Sequence, residues 1–317
     1  MTEKTRNNKP YTVIIGAAVL DILGTTDRVL KAHDSTPGHI RMEAGGVGRN
    51  IAENLAWMGV RTELICILPD DSAGRLIRKQ CAAAGVGLSY SFSPPGAGTS
   101  QYMAISGADG DMVMALSDVN IADHITPSAL QSRHEIIEGA TALVVDGNLP
   151  RTILKYLVDE FKPVPLFADP VSTSKAFNLS AILSGVHTLK MNSFEAEALS
   201  GIAVNDRHSA ARAGRALIGK GVKHLYLTMQ HNGIYWNREG EEGFYQQAPL
   251  IPVSSTGAGD AFMAGLVYGW EKNLSVEQTL EFASSAAVCA LQHHSAVNPE
   301  VRRLADSVDG LPARLPS

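Results

Sequence analysis

The segment VSSTGAGDAFMAG, residues 253–265, combines three glycines, three small hydroxyl residues and one acid at the start of an apolar run. The apolar residues predict a buried helix that begins near Ala258, and the first N–H groups of a helix lack partners and lie at the positive end of its dipole. Because Gly257 and Gly259 have no side chains, a phosphate or a developing anion can approach these amides. Asp260, in the first turn, is then placed to accept a proton from a hydroxyl that attacks a phosphoryl group.

These features also have ordinary structural explanations. An acid favours a helix start and glycines favour turns, so the segment alone is also typical of a simple helix N-terminus.

A second glycine-rich segment, GRALIGKG (214–221), ends in Gly221 where a phosphate-binding loop requires Ser or Thr, and we interpret it as a helix that ends at glycine. His293 and His294 are adjacent in the chain and do not share a helix face, which argues against a metal site there.

The composition restricts the class of function. The chain has 317 residues, of which 45% are hydrophobic and 19% charged, as in soluble globular enzymes. The net charge of −5 and the lack of a Lys/Arg-rich block give no support for a nucleic-acid or membrane-surface role. No apolar run reaches the roughly 18–20 residues that cross a bilayer. The polar N-terminus and three widely spaced cysteines favour a reduced, cytoplasmic protein.

Short apolar segments alternate with amphipathic segments of helical length along most of the chain. This alternation predicts an α/β fold with a mainly parallel central sheet covered by helices on both faces. The predicted strands are 11–19, 62–68, 141–147, 164–170, 186–192 and 224–229, and the predicted helices are 48–59, 72–85, 151–161, 193–200, 207–220 and 275–292.

Two regions, about 17–44 and 98–120, interrupt this alternation. In the second, SQYMAIS and DMVMALS flank the turn GADG and predict a β-hairpin. We expect the two regions to form a small β-sheet lid beside the main sheet. Such a lid can close over the carboxyl ends of the parallel strands, where ligands bind in open α/β sheets.

The segment TGAGD followed by AFMAG resembles the C-terminal signature of the ribokinase-like (PfkB) carbohydrate and nucleoside kinases. GGVGRNIAENLAWMG (45–59) resembles their N-terminal signature, and MNSFEAEALSG (191–201) contains their Asn-x-x-Glu as Asn192 and Glu195. LTMQHNGIYW (227–236) resembles the strand and turn that line their nucleotide site. The resemblance extends over residues 11–300. It implies one ribokinase-like domain over 1–317, with a three-layer αβα sandwich, a β-sheet lid and ATP-dependent kinase activity.

Several segments resemble the branch of this family that phosphorylates pseudouridine more than they resemble ribokinase. The resemblance implies transfer of a phosphoryl group from ATP to the 5′-hydroxyl of pseudouridine. A kinase for ribose, another nucleoside or a sugar acid is an alternative, and so is a non-catalytic nucleoside-binding protein on the same fold. The segments are GGVGRNIAENL, SDVNI (117–121), DGNLP (146–150), FADPVS (167–172) and TLKMNSFEAEALSGIA (188–203).

The resemblance also implies roles for individual residues. Asp260 would be the general base, and the amides of Gly257, Ala258 and Gly259 would form an anion hole. Asp21, taken as the end of the first strand, would accept two ribose hydroxyls through its carboxylate. Asp21 and Asn148 are also typical turn and loop residues, and Arg49 could instead be solvated. The implied substrate-binding residues are Asp21, Gly45, Gly46, Arg49, Asn50, Thr99, Tyr102, Met112, Asn148 and Asp260.

For the nucleotide, the resemblance implies Mg²⁺ held by Asn192 and Glu195 through water, although an acid in a first helical turn is also common without a metal. Many family members have an acid before TGAGD, but this chain has Ser254 and Ser255, which leaves a K⁺ requirement open. The family also implies a homodimer through the lid, whose exposed strand edges otherwise invite pairing. The implied ATP-binding residues are Asn192, Thr228, Gly233, Thr256, Gly257, Gly259 and Ser284.

Overall fold

A computed structural model of the chain describes residues 10–31, 33–109, 111–119, 124–246 and 256–309. In chain order the strands are β1 (Thr12–Ile15), β2 (Val19–Thr25), β3 (His39–Gly45), β4 (Thr62–Ile65), β5 (Gln101–Ser106), β6 (Met112–Asp118), β7 (Ala142–Asp146), β8 (Leu166–Asp169), β9 (Thr188–Asn192), β10 (His224–Thr228), β11 (Ile234–Arg238) and β12 (Glu241–Tyr245). The α-helices are α1 (Val47–Trp57), α2 (Ser72–Ala84), α3 (Pro127–Gln131), α4 (His134–Glu138), α5 (Arg151–Glu160), α6 (Thr173–Leu179), α7 (Ser193–Ser200), α8 (Arg207–Ile218), α9 (Ala258–Glu271), α10 (Val276–Leu291) and α11 (Arg302–Asp309).

The main sheet has eight strands in the order β12-β11-β10-β9-β8-β7-β1-β4. Neighbours from β10 to β4 are parallel, whereas β11 and β12 run antiparallel at one edge. Strands β1, β7 and β8 are buried throughout, because helices cover both faces of the sheet, and this explains their continuous apolar sequence. The predicted three-layer α/β fold is therefore confirmed.

Two apolar cores lie on opposite faces of the main sheet. One contains side chains of α5 to α8, and the other contains side chains of α1, α2, α9 and α10. Helix α9 is buried along ten of its fourteen residues, so its N-terminus is held rigidly against the sheet. In the described part of the chain, no helix has both the length and the apolarity that crossing a bilayer requires.

The first strand is shorter than the sequence predicts. The prediction for 11–19 is wrong beyond Ile15, because the chain leaves the main sheet at Gly16 and Val19 begins a strand of a second sheet. A side chain at Gly16 would overlap the Asp146 carboxylate and the backbone of Gly48, so a glycine is needed at this crossing. The lid thus starts directly after β1.

The second sheet is the predicted lid, with the order β3-β2-β5-β6. Strands β2 and β3 are antiparallel, β2 and β5 are parallel, and β5 and β6 form the predicted hairpin. Because side chains alternate between the faces of a strand, register partners lie on the same face. One face carries Asp21 and its partner Tyr102, and the other carries a group of exposed apolar side chains: Ile40, Met42, Met103, Met114 and Leu116. Ala32, Gly110 and Asn120 of the predicted lid lie outside the described residues, and so does Ile121 of the segment SDVNI.

Candidate active site

The carboxyl edge of the main sheet brings together polar side chains from four neighbouring strands. Asp146 ends β7 and pairs in register with Asp169, which ends β8. Asn192 ends β9 and pairs in register with Thr228, which ends β10. Parallel strands end at the same edge, so residues far apart in the chain form one row there, as is typical of ligand sites in α/β folds.

The N-terminus of α9 faces this edge with uncapped amides. Gly257 has a φ of 81°, in the left-handed region that favours glycine, and a side chain there would overlap the carbonyl group of Ala296. Gly257 contributes no side-chain cap, so it leaves the first N–H groups of α9 available to an anion. This bare helix start fits a phosphoryl group, as the sequence predicts.

Asp260 lies in the first turn of α9 and is almost entirely buried. Its Oδ2 accepts a 2.7 Å hydrogen bond from Nδ2 of Asn50. Burial and, to a smaller extent, the nearby charge of Asp169 raise the pKa of Asp260 to about 7, against the lowering effects of Lys190, Asn50 and Arg49. A carboxyl group with a pKa near neutrality is suited to general-base catalysis.

Arg49 is buried and holds Asn50 in place. Its guanidinium donates to Oδ1 of Asn50 and to the carbonyl of Ala44, and it forms an ion pair with Glu53 one turn further along α1. The alternative that Arg49 is solvated is therefore wrong. Because Oδ1 of Asn50 is turned toward Arg49, its Nδ2 group is directed at Asp260.

Asp21 lies in the lid strand β2, and its placement at the end of the first main-sheet strand is wrong. Its carboxylate packs so closely on Gly45 that any side chain at Gly45 would overlap it. Burial raises the pKa of Asp21 to about 6, opposed by Arg49 and assisted by Glu43. Gly46 has a φ of 94° and lies against the backbone of Ala17, so both glycines permit close packing at the start of α1.

The remaining predicted substrate residues have identifiable neighbours. Asn148 accepts a hydrogen bond from Lys175 through Oδ1 and donates its N–H to Asp146. Thr99 is buried, and both its N–H and its hydroxyl donate to Asp71, the N-cap of α2. Thr99 thus anchors the segment that leads into the lid.

Tyr102 and Met112 contact each other on the lid. The hydroxyl of Tyr102 lies 3.4 Å from Sδ of Met112, and Tyr102 is the register partner of Asp21. Their roles in substrate binding stay predictions.

Asn192 and Glu195 form a capping box at the start of α7. Oδ1 of Asn192 accepts from the N–H of Glu195, and Oε2 of Glu195 accepts from the N–H of Asn192. Glu195 therefore has a structural role as an acid in the first turn of a helix, which is the alternative that the sequence analysis gave for it. The capping box uses one oxygen of each side chain and leaves the second oxygen of Glu195 outside it, which is compatible with a hydrated magnesium ion and its few direct protein ligands.

The other predicted ATP residues are more scattered. The hydroxyl of Thr228 donates to the carbonyl of Met191, and Gly233 has a φ of 82° in the turn before β11. Thr256 is exposed directly before Gly257, whereas Ser284 is buried within α10. Their contacts with ATP stay predictions. Ser254 and Ser255 lie outside the described residues.

Three charged residues of the site were missed by the sequence analysis. Asp146 accepts hydrogen bonds from the N–H groups of Ala17, Gly48 and Asn148 at 2.8 to 2.9 Å, and so connects the segment after β1, the start of α1 and the loop after β7. Lys190 donates to Asp169 at 2.8 Å, and both side chains are buried. The available signal was an acid at the end of each of two apolar strands, and a lysine inside a third.

Comparison with known proteins agrees with the fold described above. The model of the pfkB family carbohydrate kinases matches residues 9–302. Pseudouridine kinase of Escherichia coli is 36% identical over 92% of this chain and 94% of its own length. A carbohydrate kinase structure from Agrobacterium tumefaciens matches with a TM-score of 0.82 and 27% identity, covering 96% of this chain and 99% of its own. Arabidopsis thaliana ribokinase in complex with ribose and ATP has the same fold, with a TM-score of 0.81 and 22% identity over 93% of this chain and 98% of its own.

Proposed function

Since the chain belongs to the pfkB family of carbohydrate kinases, and is thus a phosphotransferase that uses ATP and an alcohol acceptor, we propose that its acceptor is the 5′-hydroxyl of pseudouridine. The site supports the chemistry through one observation above all. A carboxyl group with a pKa of about 7, Asp260, is held by Asn50 at the uncapped start of α9. The choice of pseudouridine is supported by the 36% identity to the E. coli enzyme. In this proposal residues 1–317 act as one domain.

The proposed reaction is an in-line phosphoryl transfer. Asp260 accepts the proton of the 5′-hydroxyl while the oxygen forms its bond to the γ-phosphorus of ATP. The bond between this phosphorus and the bridging oxygen breaks, and ADP leaves with the electron pair. The amides of Gly257, Ala258 and Gly259 stabilise the charge on the transferring group.

The lid holds the sugar in this proposal. The carboxylate of Asp21 accepts hydrogen bonds from two ribose hydroxyls, and the absence of a side chain at Gly45 leaves that carboxylate in place. Tyr102 and Met112, beside Asp21 on the lid, shield the base and exclude water, which would otherwise accept the phosphoryl group.

Asn192 and Glu195 would hold hydrated Mg²⁺ beside the nucleotide, and the ion, when bound, neutralises charge on the β- and γ-phosphates. The residues that would contribute to ATP binding are Asn192, Thr228, Gly233, Thr256, Gly257, Gly259 and Ser284. Dependence on K⁺ is a separate question that steady-state assays in K⁺ and in a large organic cation will answer.

A competition assay tests the proposed acceptor. ADP formation is measured with pseudouridine, uridine, adenosine and ribose, each alone and in equimolar pairs. We expect pseudouridine to have the highest kcat/KM of the four. A higher kcat/KM for ribose or another nucleoside would refute pseudouridine as the preferred acceptor and would leave the kinase activity established. Tight nucleoside binding without ADP formation from any of the four would favour the non-catalytic alternative.

We also propose that the protein is a cytoplasmic homodimer that pairs through the outer faces of two lids. Ile40, Met42 and Leu116 are 78%, 61% and 73% exposed on this face, and a second copy would cover them. Leu116→Lys should dissociate the dimer in analytical ultracentrifugation. Val29→Lys, at an exposed apolar side chain outside the lid sheet, is the matched control and should leave the dimer intact.

A further inference from the structure

Lys190 is a buried cation in the middle of a strand. Its neighbours Leu189 and Met191 face the core beneath α5 to α8, so Lys190 points to the other face of the sheet, where α9 packs. Its Nζ donates to Oδ2 of Asp169 at 2.8 Å. A buried ammonium must be paired to avoid a large desolvation cost, and Asp169 supplies that pairing.

The ammonium of Lys190 lies against the proposed anion hole. A Cβ built on Gly259 would be only 2.6 Å from Nζ, so the cation packs directly on the second residue of α9. The uncapped N–H groups of α9 and the carboxyl group of Asp260 belong to the same helical turn. A full positive charge therefore lies beside the partial positive charge of the helix start.

The ion pair with Asp169 does not use the full donor capacity of Lys190. An ammonium has three N–H donors, and within the described residues Asp169 is the one acceptor that hydrogen-bonds to Nζ. Buried ion pairs of this kind often stabilise a protein no more than apolar residues of similar size. Stability alone is thus a weak reason for a lysine within an apolar strand at this position.

We propose that Lys190 is a catalytic residue whose ammonium binds an oxygen of the phosphoryl group during its transfer from ATP to the acceptor. In such a transfer, negative charge spreads over the three equatorial oxygens of the transferring group. Lys190 donates one N–H to these oxygens and keeps its bond to Asp169. It keeps all its protons, because the proton of the alcohol goes to Asp260 and the electron pair of the broken P–O bond goes to ADP.

This role rests on the kinase activity of the proposed function and does not depend on which alcohol is the acceptor. The wild-type protein is therefore first assayed with the four acceptors above, and the best of them is used for every variant. A wild-type protein that phosphorylates another acceptor but not pseudouridine would refute the proposed substrate and leave the test of Lys190 intact.

The decisive variant is Lys190→Met/Asp169→Asn, which removes both charges together and so leaves no unpaired buried charge. The asparagine still offers an oxygen to the N–H of Val171, which Asp169 binds at 2.8 Å. Asp169→Asn alone keeps the Lys190 side chain, with Glu195 and Asp260 as the acids that still favour its charged form, and serves as the reference for the effect of Asp169. Lys155→Met/Asp159→Asn is the matched control, since Lys155 and Asp159 form an exposed pair at 2.7 Å.

Two measurements are made on each variant. In steady-state kinetics, we expect kcat of the double variant to be about 10²–10³-fold below that of Asp169→Asn, the size of effect seen when one donor to a developing anion is removed. The KM for the acceptor should stay the same. In calorimetry without turnover, we expect binding of ADP with aluminium fluoride and the acceptor to weaken by a similar factor, while binding of ADP alone is unchanged.

The alternative is that Lys190 only supports the fold. The thermal midpoint of the double variant then falls, but kcat of its folded fraction stays within threefold of Asp169→Asn, and this outcome would overturn the proposal. Equal affinity of the wild-type and double-variant proteins for ADP with aluminium fluoride would also overturn it. The exposed control pair should change neither kcat nor the binding of the fluoride complex.

Discussion

Asn50 and Asp260 lie 210 positions apart in the chain, and Nδ2 of Asn50 donates a 2.7 Å hydrogen bond to Oδ2 of Asp260. The bond joins the first turn of α1 to the first turn of α9. It therefore connects the two glycine-rich segments that the sequence analysis singled out. Since a hydrogen bond to the ionised form lowers the pKa of an acid, Asn50 keeps Asp260 ionised at a lower pH than burial alone would permit.

Replacing Asn50 should shift the pH dependence of the reaction. In Asn50→Ala, the pKa of Asp260 rises because the hydrogen bond is lost, so the acidic limb of kcat/KM moves to higher pH. Activity lost at pH 7 is then partly regained at pH 9. Asn54→Ala is the control, since Asn54 bonds to the backbone carbonyl of residue 50 and not to Asp260. A limb that moves equally in both variants would contradict the role of the Asn50–Asp260 bond.

Asp260→Asn should abolish turnover and yet stabilise the protein. The loss of the base lowers kcat by several orders of magnitude with nearly normal substrate binding. The pKa of Asp260 is raised from 3.8 to about 7, so between these pH values the folded protein holds a proton that the unfolded chain releases. The free energy of unfolding of the wild type therefore falls as pH rises through this window. The variant lacks this fall, because asparagine does not ionise. Thermal midpoints at pH 5 and pH 8 should show the larger advantage at pH 8. Near-normal turnover would remove Asp260 as the base.

The sequence predicted the elements that carry the site better than the contacts within it. Continuous apolar runs predicted β7 to β10. A strand that is buried on both faces is apolar at successive positions and does not alternate with polar residues. The same reasoning extended the first strand through 11–19, because the apolar residues after Gly16 belong to the lid and are also buried. Periodicity cannot tell which of two sheets a buried residue joins, so Asp21 was assigned to the wrong strand.

The charged pairs beneath the site could not be predicted from local sequence. Asp169 and Lys190 come together because β8 and β9 are neighbours in the sheet, and strand order is a property of the whole fold. Glu195 shows the converse. Its spacing from Asn192 is that of a capping box and also that of the Asn-x-x-Glu motif from which we proposed a magnesium site, so one pattern supports two explanations.

Substrate binding without ATP should depend on the ionisation of Asp21. The pKa of this carboxyl group is about 6, and only the ionised form offers charge-assisted hydrogen bonds to both hydroxyls. Below pH 6, the calorimetric Kd for the acceptor should rise about tenfold for each pH unit. In Asp21→Asn, binding should be weak and independent of pH over the same range. A slope that persists in this variant would assign the titration to another group.

Breaking the buried pair of Arg49 and Glu53 should lower stability in a way that breaking an exposed pair does not. Glu53→Ala removes the ion-pair partner of the buried Arg49, and it should lower the free energy of unfolding by about 3–5 kcal/mol in urea titrations. The double variant Arg49→Met/Glu53→Leu should recover most of that loss. Lys155 and Asp159 have the same spacing on α5 but are exposed, and Asp159→Ala should have no measurable effect. Equal losses in the free energy of unfolding for Glu53→Ala and Asp159→Ala would show that burial of the pair does not determine the cost of breaking it.

Gly45 should be required for the position of the Asp21 carboxylate and not for the fold of β3. In Gly45→Ala, the new methyl group would overlap the carboxyl group of Asp21 and displace it from the sugar. Displacements of about 1 Å at a positioning group can cost on the order of 10²-fold in rate, and we expect a loss of that size in kcat/KM for the acceptor. The KM for ATP should be unchanged, since Asp21 lies on the lid. Gly98→Ala is the matched control, because no described atom lies within 4 Å of a Cβ built there, and its kcat/KM should equal that of the wild type. If both substitutions reduce kcat/KM equally, general loosening of the lid accounts for the loss, and the contact between Gly45 and Asp21 does not.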